Sequence, residues 1–337
     1  MNDKILLGHG SGGKLSHELI SQLFIKYFDN PALNQGTDSA ILNLDSKNIA
    51  FTTDSFVVDP IFFPGGDIGK LAICGTVNDL AVSGAEPLWL SASFIIEEGF
   101  LLSDLERIVK SMTSESKKAN IRIVTGDTKV VEKNKCDKIF ITTSGIGCIP
   151  EKYKGIGEGR DIKTGDKIII NGSIGDHGMA IMSARNELTF RSDIKSDCAC
   201  LNHMIQKALQ ASQGIKFMRD ATRGGVATVL TELVNQKEFG IEIFEEKIHI
   251  NEQVKGLCEI LGFDPMYVAN EGKVIMVVDK EYAEIVIETL RQDKFGLNSE
   301  IVGEIVDQHY GKGWINTGIG GRRIIDMLSG EQLPRIC

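Results

Sequence analysis

Apolar residues recur along this chain with two periods, every second position in short runs and every third or fourth in longer ones. Their alternation predicts strands interleaved with helices. In the first half, AILNL at 40–44, IAFTT at 49–53, IRIV at 121–124 and IFIT at 139–142 read as strands. A helix is predicted from Ser103, where Glu106 completes a capping box and Leu105, Ile108, Val109 and Met112 share one stripe. Another covers Gly66 to about Ser83. The polar, glycine-rich stretch 149–166 reads as a domain boundary. Beyond it, KIIING at 167–172, KVIMVVD at 273–279 and EIVGEIV at 300–306 are predicted strands. Three stripes predict helices: Leu201, Met204, Ile205, Ala208 and Leu209; Val226, Val229, Leu230, Leu233 and Val234; Tyr282, Ile285, Val286, Thr289 and Leu290.

The elements interleave without a strict βαβ rhythm, which favours an α+β fold of two α/β layered domains with mixed or antiparallel sheets. Domains are expected over 1–150 and 151–310. A flexible tail is expected over 311–337, because five glycines between Gly311 and Gly321 loosen the chain. Length agrees, since 337 residues exceed one ordinary core.

Charge narrows the partners. A net charge of −9 repels nucleic acid and anionic lipid, so neither is expected as a partner. No apolar run approaches the roughly 18 residues of a membrane span, and the opening MNDKILLGHG does not read as a targeting segment, so a cytoplasmic protein is expected. The 7 cysteines include no CxxC pair, which makes structural disulfides unexpected.

Two patterns carry candidate chemistry. GHGSGGK holds His9, Gly10, Ser11, Gly12 and Gly13, whose backbone N–H groups would suit a phosphate, although the Walker spacing fails and a plain flexible arm reads equally well. Asp38, Asp54, Asn78, Asp79 and Asp127 read as standing at the ends of predicted strands, and hard oxygen donors converging from scattered positions are what magnesium requires beside a nucleotide. Each alone reads as a turn residue.

Cys337 occupies the last position of the sequence, where an ordinary thiol can accept an acyl group from an activated donor, with Arg335 offering partial charge compensation. Cys74, Cys136, Cys148 and Cys258 read as small core or strand-end fillers. Cys198 and Cys200 form CxC near a helix start, where metal binding would need further ligands nearby. His177 stands in the GDHG segment.

GHGSGG, TTDSFVVDP, FPGGDIGKLAICGTVNDLAVSGAEP, VTGDTKVV, NGSIGDHGMAIM, RDATRGGVA, VANEGK and the final LPRIC occur in the order seen in the HypE family of hydrogenase maturation factors, which the whole chain resembles. That family is grouped with aminoimidazole ribonucleotide synthetase, selenophosphate synthetase and thiamine monophosphate kinase. VNDLAVSGA and DATRGG are shared across the group, whereas FPGGDIGKLA, VTGDTKVV and PRIC are specific to HypE. Where the relatives often carry adjacent acidic residues, Asp38 is followed here by Ser39.

The resemblance implies an N-terminal ATP- and Mg2+-binding, dimerising domain and a C-terminal α/β sandwich domain. It implies that the carbamoyltransferase HypF loads a carbamoyl group on Cys337, that this chain dehydrates the S-carboxamide to S-cyanide with ATP, and that the cyanide passes to a HypC–HypD iron scaffold. Glu271 matches the family's base and Lys129 its charge-stabilising cation; His9 to Gly13, Lys70, Asn78 and Asp220 match nucleotide-site positions, and Asp38, Asp54, Asp79 and Asp127 metal positions. A homodimer is implied. Another synthetase or kinase of the group, or a non-enzymatic thiol carrier, would account for some of these features. The tail is expected to point outward in the free protein, stiffened at its tip by Pro334.

Overall fold

The computed structural model describes residues 3–35, 39–44, 46–185, 193–328, 333 and 335–337. Asp38 and Pro334 lie outside the described residues. The chain opens with α1 (Lys14–Leu19), which continues through a wider π-type turn, Ile20–Ile25, into α2 (Lys26–Phe28). Four strands then build the N-terminal sheet in the order β1 (Ile49–Phe56), β6 (Ile139–Cys148), β4 (Glu86–Glu97), β5 (Arg122–Val131). Only β4 and β5 run parallel. A ribbon of β2 (Phe62–Phe63) and β3 (Gly66–Asp67) leads into α3 (Ile68–Val82), and α4 (Leu102–Ala119) packs on α3.

Helix α3 explains its own sequence. Asp67 caps it by accepting from the N–H groups of Gly69 and Lys70, at 2.8 and 3.0 Å. Apolar residues surround it on every side because it is enclosed by the sheet, α4 and the second domain. Helix α4 is the opposite case, with one buried stripe of Leu105, Ile108, Val109 and Met112. It starts at Leu102 without a side-chain cap, so the predicted capping box does not form; the Glu106 carboxylate accepts from Tyr27 and pairs with Lys110 instead.

The second sheet has seven strands in the order β13 (Arg322–Ile325), β12 (Gly313–Asn316), β9 (Gly240–Phe244), β11 (Glu300–Val306), β7 (Lys167–Ile170), β10 (Val274–Val278), β8 (Ile215–Asp220). Its residues feed two cores. Met276 and Val278 join α6 (Asn202–Ala211) and α9 (Ala283–Arg291), while Ile275 and Val277 join α7 (Gly225–Val234). Cover on both faces is why VIMVV is continuously apolar. Helices α5 (Asp176–Ala184) and α8 (Glu252–Leu261) pack toward the N-terminal core.

Two expectations are corrected. Residues 40–44 form no strand; Ile41 stands exposed, so its apolar character does not buy a place in the sheet. The stretch 149–166, predicted as a domain boundary, runs from the last strand of the first sheet to the first strand of the second and is packed, with Tyr153 and Ile156 buried and the Tyr153 hydroxyl donating to the Leu209 carbonyl. The tail is shorter than expected, because β12 and β13 continue the second sheet across the glycines.

Candidate active site

Four acidic residues, two within elements and two at the ends of strands, meet where the two domains touch. Asp54 lies on β1 and Asp79 on α3; Asp220 ends β8, and Glu271 precedes β10. The Thr52 hydroxyl donates to Asp79 at 2.7 Å. Burial first, then repulsion from Asp220 and Asp54, pushes the Asp79 carboxyl up to about 7. Asp220 is pushed up to about 6 by burial, with Asp54 adding repulsion. Glu271, 3% exposed, is held well above the carboxylate range by burial and by Asp197, Asp220, Asp54 and Asp79. Hard oxygen donors that raise one another in this way are short of positive charge, which fits a divalent cation.

The Glu271 backbone is fixed from two directions. Asp197 accepts from the N–H groups of Glu271 and Gly272, at 3.0 and 3.1 Å, and pairs with Lys273 at 2.8 Å. A Cβ on Gly272 would stand 2.0 Å from the Asp197 carbonyl oxygen, so only glycine admits this approach. From the other side, the Asn78 amide donates to the Ala199 carbonyl at 2.9 Å and to that of Glu271 at 3.4 Å, while its oxygen accepts from Leu201 N–H at 2.8 Å. Asn78 thus commits both of its amide N–H donors to joining the domains in this state.

The tail lies inward rather than outward. Cys337 carbonyl accepts from Val57 N–H at 3.1 Å and Arg335 carbonyl from Asp59 N–H at 3.2 Å, extending the chain beside the end of β1. Arg185 donates to the Arg335 carbonyl at 3.0 Å. His177, fully buried, sits 2.8 Å from the Ile336 carbonyl through Nε2 and 2.8 Å from the Ser196 hydroxyl through Nδ1. Burial holds this imidazole below its ordinary pKa, hence neutral. A carbonyl only accepts, so Nε2 carries the proton. Ile336 and Leu333 are buried against the N-terminal core.

The tail delivers the Cys337 thiol to the acidic cluster. Burial raises it to about 12, with Glu271, Asp54 and Asp220 adding to the rise and Arg223 opposing it. Arg335 does not provide that compensation, since it is paired with Asp137. Arg223 and Asp197 carry no individual assignment from sequence; Arg223 lies inside the DATRGG run, which is the signal that would have found it.

Asp127 and Lys129 stand elsewhere. Both are on β5, at the opposite edge of the sheet from β1, about 14 Å away at roughly 4.8 Å per strand. They pair at 3.0 Å, which lowers the Asp127 pKa, and both are exposed. With His9, Gly10 and Gly12 they line a cavity of about 200 Å³, below the roughly 300 Å³ at which small-molecule sites begin. The glycine loop is folded on itself: Ser11 donates to the Gly8 carbonyl and Gly12 N–H to Ser16. A Cβ on Gly10 would meet Val130 N at 2.4 Å, so packing accounts for that glycine. Lys70 turns back to the Gly65 carbonyl at 2.9 Å.

Two layered domains whose seam gathers carboxylates define a class of protein. The sequence matches the N-terminal domain of the AIR synthase related proteins over residues 36–149 and their C-terminal domain over 163–316. Carbamoyl dehydratase HypE of Rhodobacter capsulatus is 47% identical over 339 residues, spanning 100% of this chain and 99% of that protein. A crystal structure of the hydrogenase maturation protein HypE in complex with ATP superposes with a TM-score of 0.93 at 45% identity, covering 98% of this chain and 99% of the other. A chain of a crystal structure of the HypE–HypF complex matches with a TM-score of 0.79 at 50% identity over 91% of this chain and 99% of its own. This chain belongs to the HypE family of carbamoyl dehydratases.

Proposed function

We propose that this chain converts a thiocarboxamide on Cys337 to a thiocyanate at the expense of ATP, providing the cyanide ligand for the iron of nickel–iron hydrogenases. One observation supports this most: the hydrogen-bonded tail brings the Cys337 sulfur within the electrostatic reach of Glu271, Asp54 and Asp220. A carboxamide on that sulfur is neutral, so it enters the acidic pocket at far lower cost than a thiolate.

The reaction balances as S–C(=O)NH2 plus ATP giving S–C≡N, ADP and phosphate. The carboxamide oxygen attacks the γ-phosphorus and ADP leaves; the C–O bond then breaks with departure of phosphate, and nitrogen surrenders both protons. Glu271 is the base: burial and the neighbouring carboxylates raise the affinity of its carboxylate for a proton, and the tail brings the sulfur-bound group into its reach. Asp54, Asp79 and Asp220 would hold Mg2+, which when bound neutralises the transferring phosphoryl. Arg223 faces the same region and supplies positive charge beside the sulfur.

Lys129 and Asp127 would serve this centre from a second copy, so a homodimer is part of the proposal. The outer face of the N-terminal sheet leaves Ile49, Phe51 and Ile95 exposed, an apolar surface suited to such pairing. HypF is the carbamoyl donor by analogy with the HypE–HypF complex, and a HypC–HypD scaffold the acceptor. No helix among the described residues is long and apolar enough to cross a membrane, and a cytoplasmic site of action is part of the proposal.

Intact mass of the C-terminal peptide, after incubation with HypF, carbamoyl phosphate and magnesium-ATP, tests the assignment. Glu271→Gln should accumulate the carboxamide and slow dehydration by about a hundredfold or more, while Cys337→Ala should carry no adduct. Conversion by Glu271→Gln at the wild-type rate would place the base elsewhere.

A further inference from the structure

Cys74 on α3 and Cys200 at the entrance to α6 belong to different domains, yet their sulfurs are 3.3 Å apart. Glu115 of α4 presents a carboxylate oxygen to the same point, and the three ligand atoms all lie within 4.8 Å of one another. Among the described residues no other group of histidine, cysteine and carboxylate side chains draws together this closely, the acidic cluster at the tail included. The CxC of Cys198 and Cys200 called for further ligands, and the fold brings two.

We propose that Cys74, Cys200 and Glu115 form a binding site for a thiophilic d10 cation of the zinc class, separate from the oxygen-rich magnesium-type site. Sulfurs held at about 2.3 Å from one tetrahedral ion stand roughly 3.7 Å apart, so the pair has only to part by a few tenths of an ångström. Magnesium and calcium avoid sulfur, which gives the two sites opposite preferences. Cys74 is fully buried and Glu115 is 8% exposed, while Cys200 is partly open and provides a way in. Lys118 holds one Glu115 oxygen at 2.7 Å, the kind of outer contact that orients a ligating carboxylate. Cys198 hydrogen-bonds Cys74, placing a further sulfur at hand. On binding, the Cys74 and Cys200 thiols each lose a proton to water, each sulfur donates a lone pair to the metal, and no electron is transferred.

The bound ion would brace the dehydration site without entering it. Cys74 lies one helical turn before Asn78, whose amide grips Ala199, Leu201 and Glu271. A second tie between α3 and residue 200 would stiffen the segment that carries the Glu271 backbone.

The test uses the full chain with Cys337→Ala, so that the tail thiol cannot contribute, reduced, stripped with a chelator and kept in excess Mg2+. Titrated Co2+ should bind at one equivalent per chain with a thiolate-to-metal charge-transfer absorption, and Zn2+ should displace it and raise the melting temperature. Adding Cys200→Ser should remove the band and the thermal shift, with circular dichroism confirming the fold; adding Glu115→Gln should weaken Co2+ at least tenfold. An undiminished band in the Cys200→Ser variant would put the ion elsewhere, and its absence from the folded Cys337→Ala protein would overturn the site. So would loss of two thiols without metal, the mark of a Cys74–Cys200 disulfide.

Discussion

Asp197 meets Lys273 at 2.8 Å and Asp127 meets Lys129 at 3.0 Å, so distance does not separate the two pairs. Burial does. The side chains of the first are 5% and 9% exposed, those of the second 58% and 63%. Asp197 also accepts from two backbone N–H groups, so its charge is fully engaged and it holds Glu271 in place. Asp127 and Lys129 are screened by water and held by one contact, which leaves both free to exchange each other for a phosphate or a metal ion. The same two residue types therefore serve as a rivet in one region and as an adjustable contact in the other.

Breaking the rivet should have the largest effect. Asp197→Asn leaves Lys273 charged and buried without its partner, which should cost about 3 kcal/mol of stability in urea unfolding. A loss below about 1 kcal/mol would erase the contrast. Acid titration sharpens it. Burial works to raise the Asp197 pKa, but its favourable partners, Lys273 foremost, outweigh burial and leave it depressed in the folded state. Its contribution is therefore fully present above the unfolded value near 4 and is lost as pH falls through the lower folded value. The variant should lack this part of the wild-type decline in stability at acid pH.

How much of this was legible in the sequence differed between the two regions for a related reason. VTGDTKVV lies on one strand, so Asp127 and Lys129 were found together by reading along the chain. Asp197 and Lys273 are separated by 75 intervening positions and meet only through the fold. The same holds for Cys74 with Cys200. Amphipathic helices were readable because one face is wet, as in α4. Strand β4, buried on much of its length and interrupted by serines, presented no clean alternation and was missed. The glycines at 311–321 argued for a loose tail, but strand pairing with β9 overrides local freedom there. The inward tail was unreadable because it depends on His177, Arg185 and the β1 edge, all distant in sequence.

A second variant tests whether charge or contact makes the rivet. Asp197→Asn combined with Lys273→Met removes the orphaned ammonium while keeping its methylene bulk, so the pair should be less destabilised than Asp197→Asn alone, recovering about 1–2 kcal/mol. A double variant as unstable as the sum of its singles would mean that the lost N–H contacts to Glu271 and Gly272, rather than the lone charge, carry the cost.

The smallest stability effect belongs to the exposed pair. Lys129→Ala removes one ion pair in water, for which the stability change should stay under about 1 kcal/mol. Dehydration of the S-carboxamide should nevertheless fall at least tenfold if Lys129 of one copy serves the Cys337 centre of another, because a cation placed against developing phosphoryl charge acts in the transition state rather than in folding. Mixing supplies the decisive measurement. Subunits carrying Lys129→Ala and subunits carrying Glu271→Gln each lack one element, but a mixed dimer assembles one centre with both elements intact and should regain a fraction of wild-type turnover. Absence of any recovery, with exchange of subunits confirmed by mass, would confine Lys129 to its own chain. The roughly 14 Å between β5 and β1 would then have to close by a movement within one protomer.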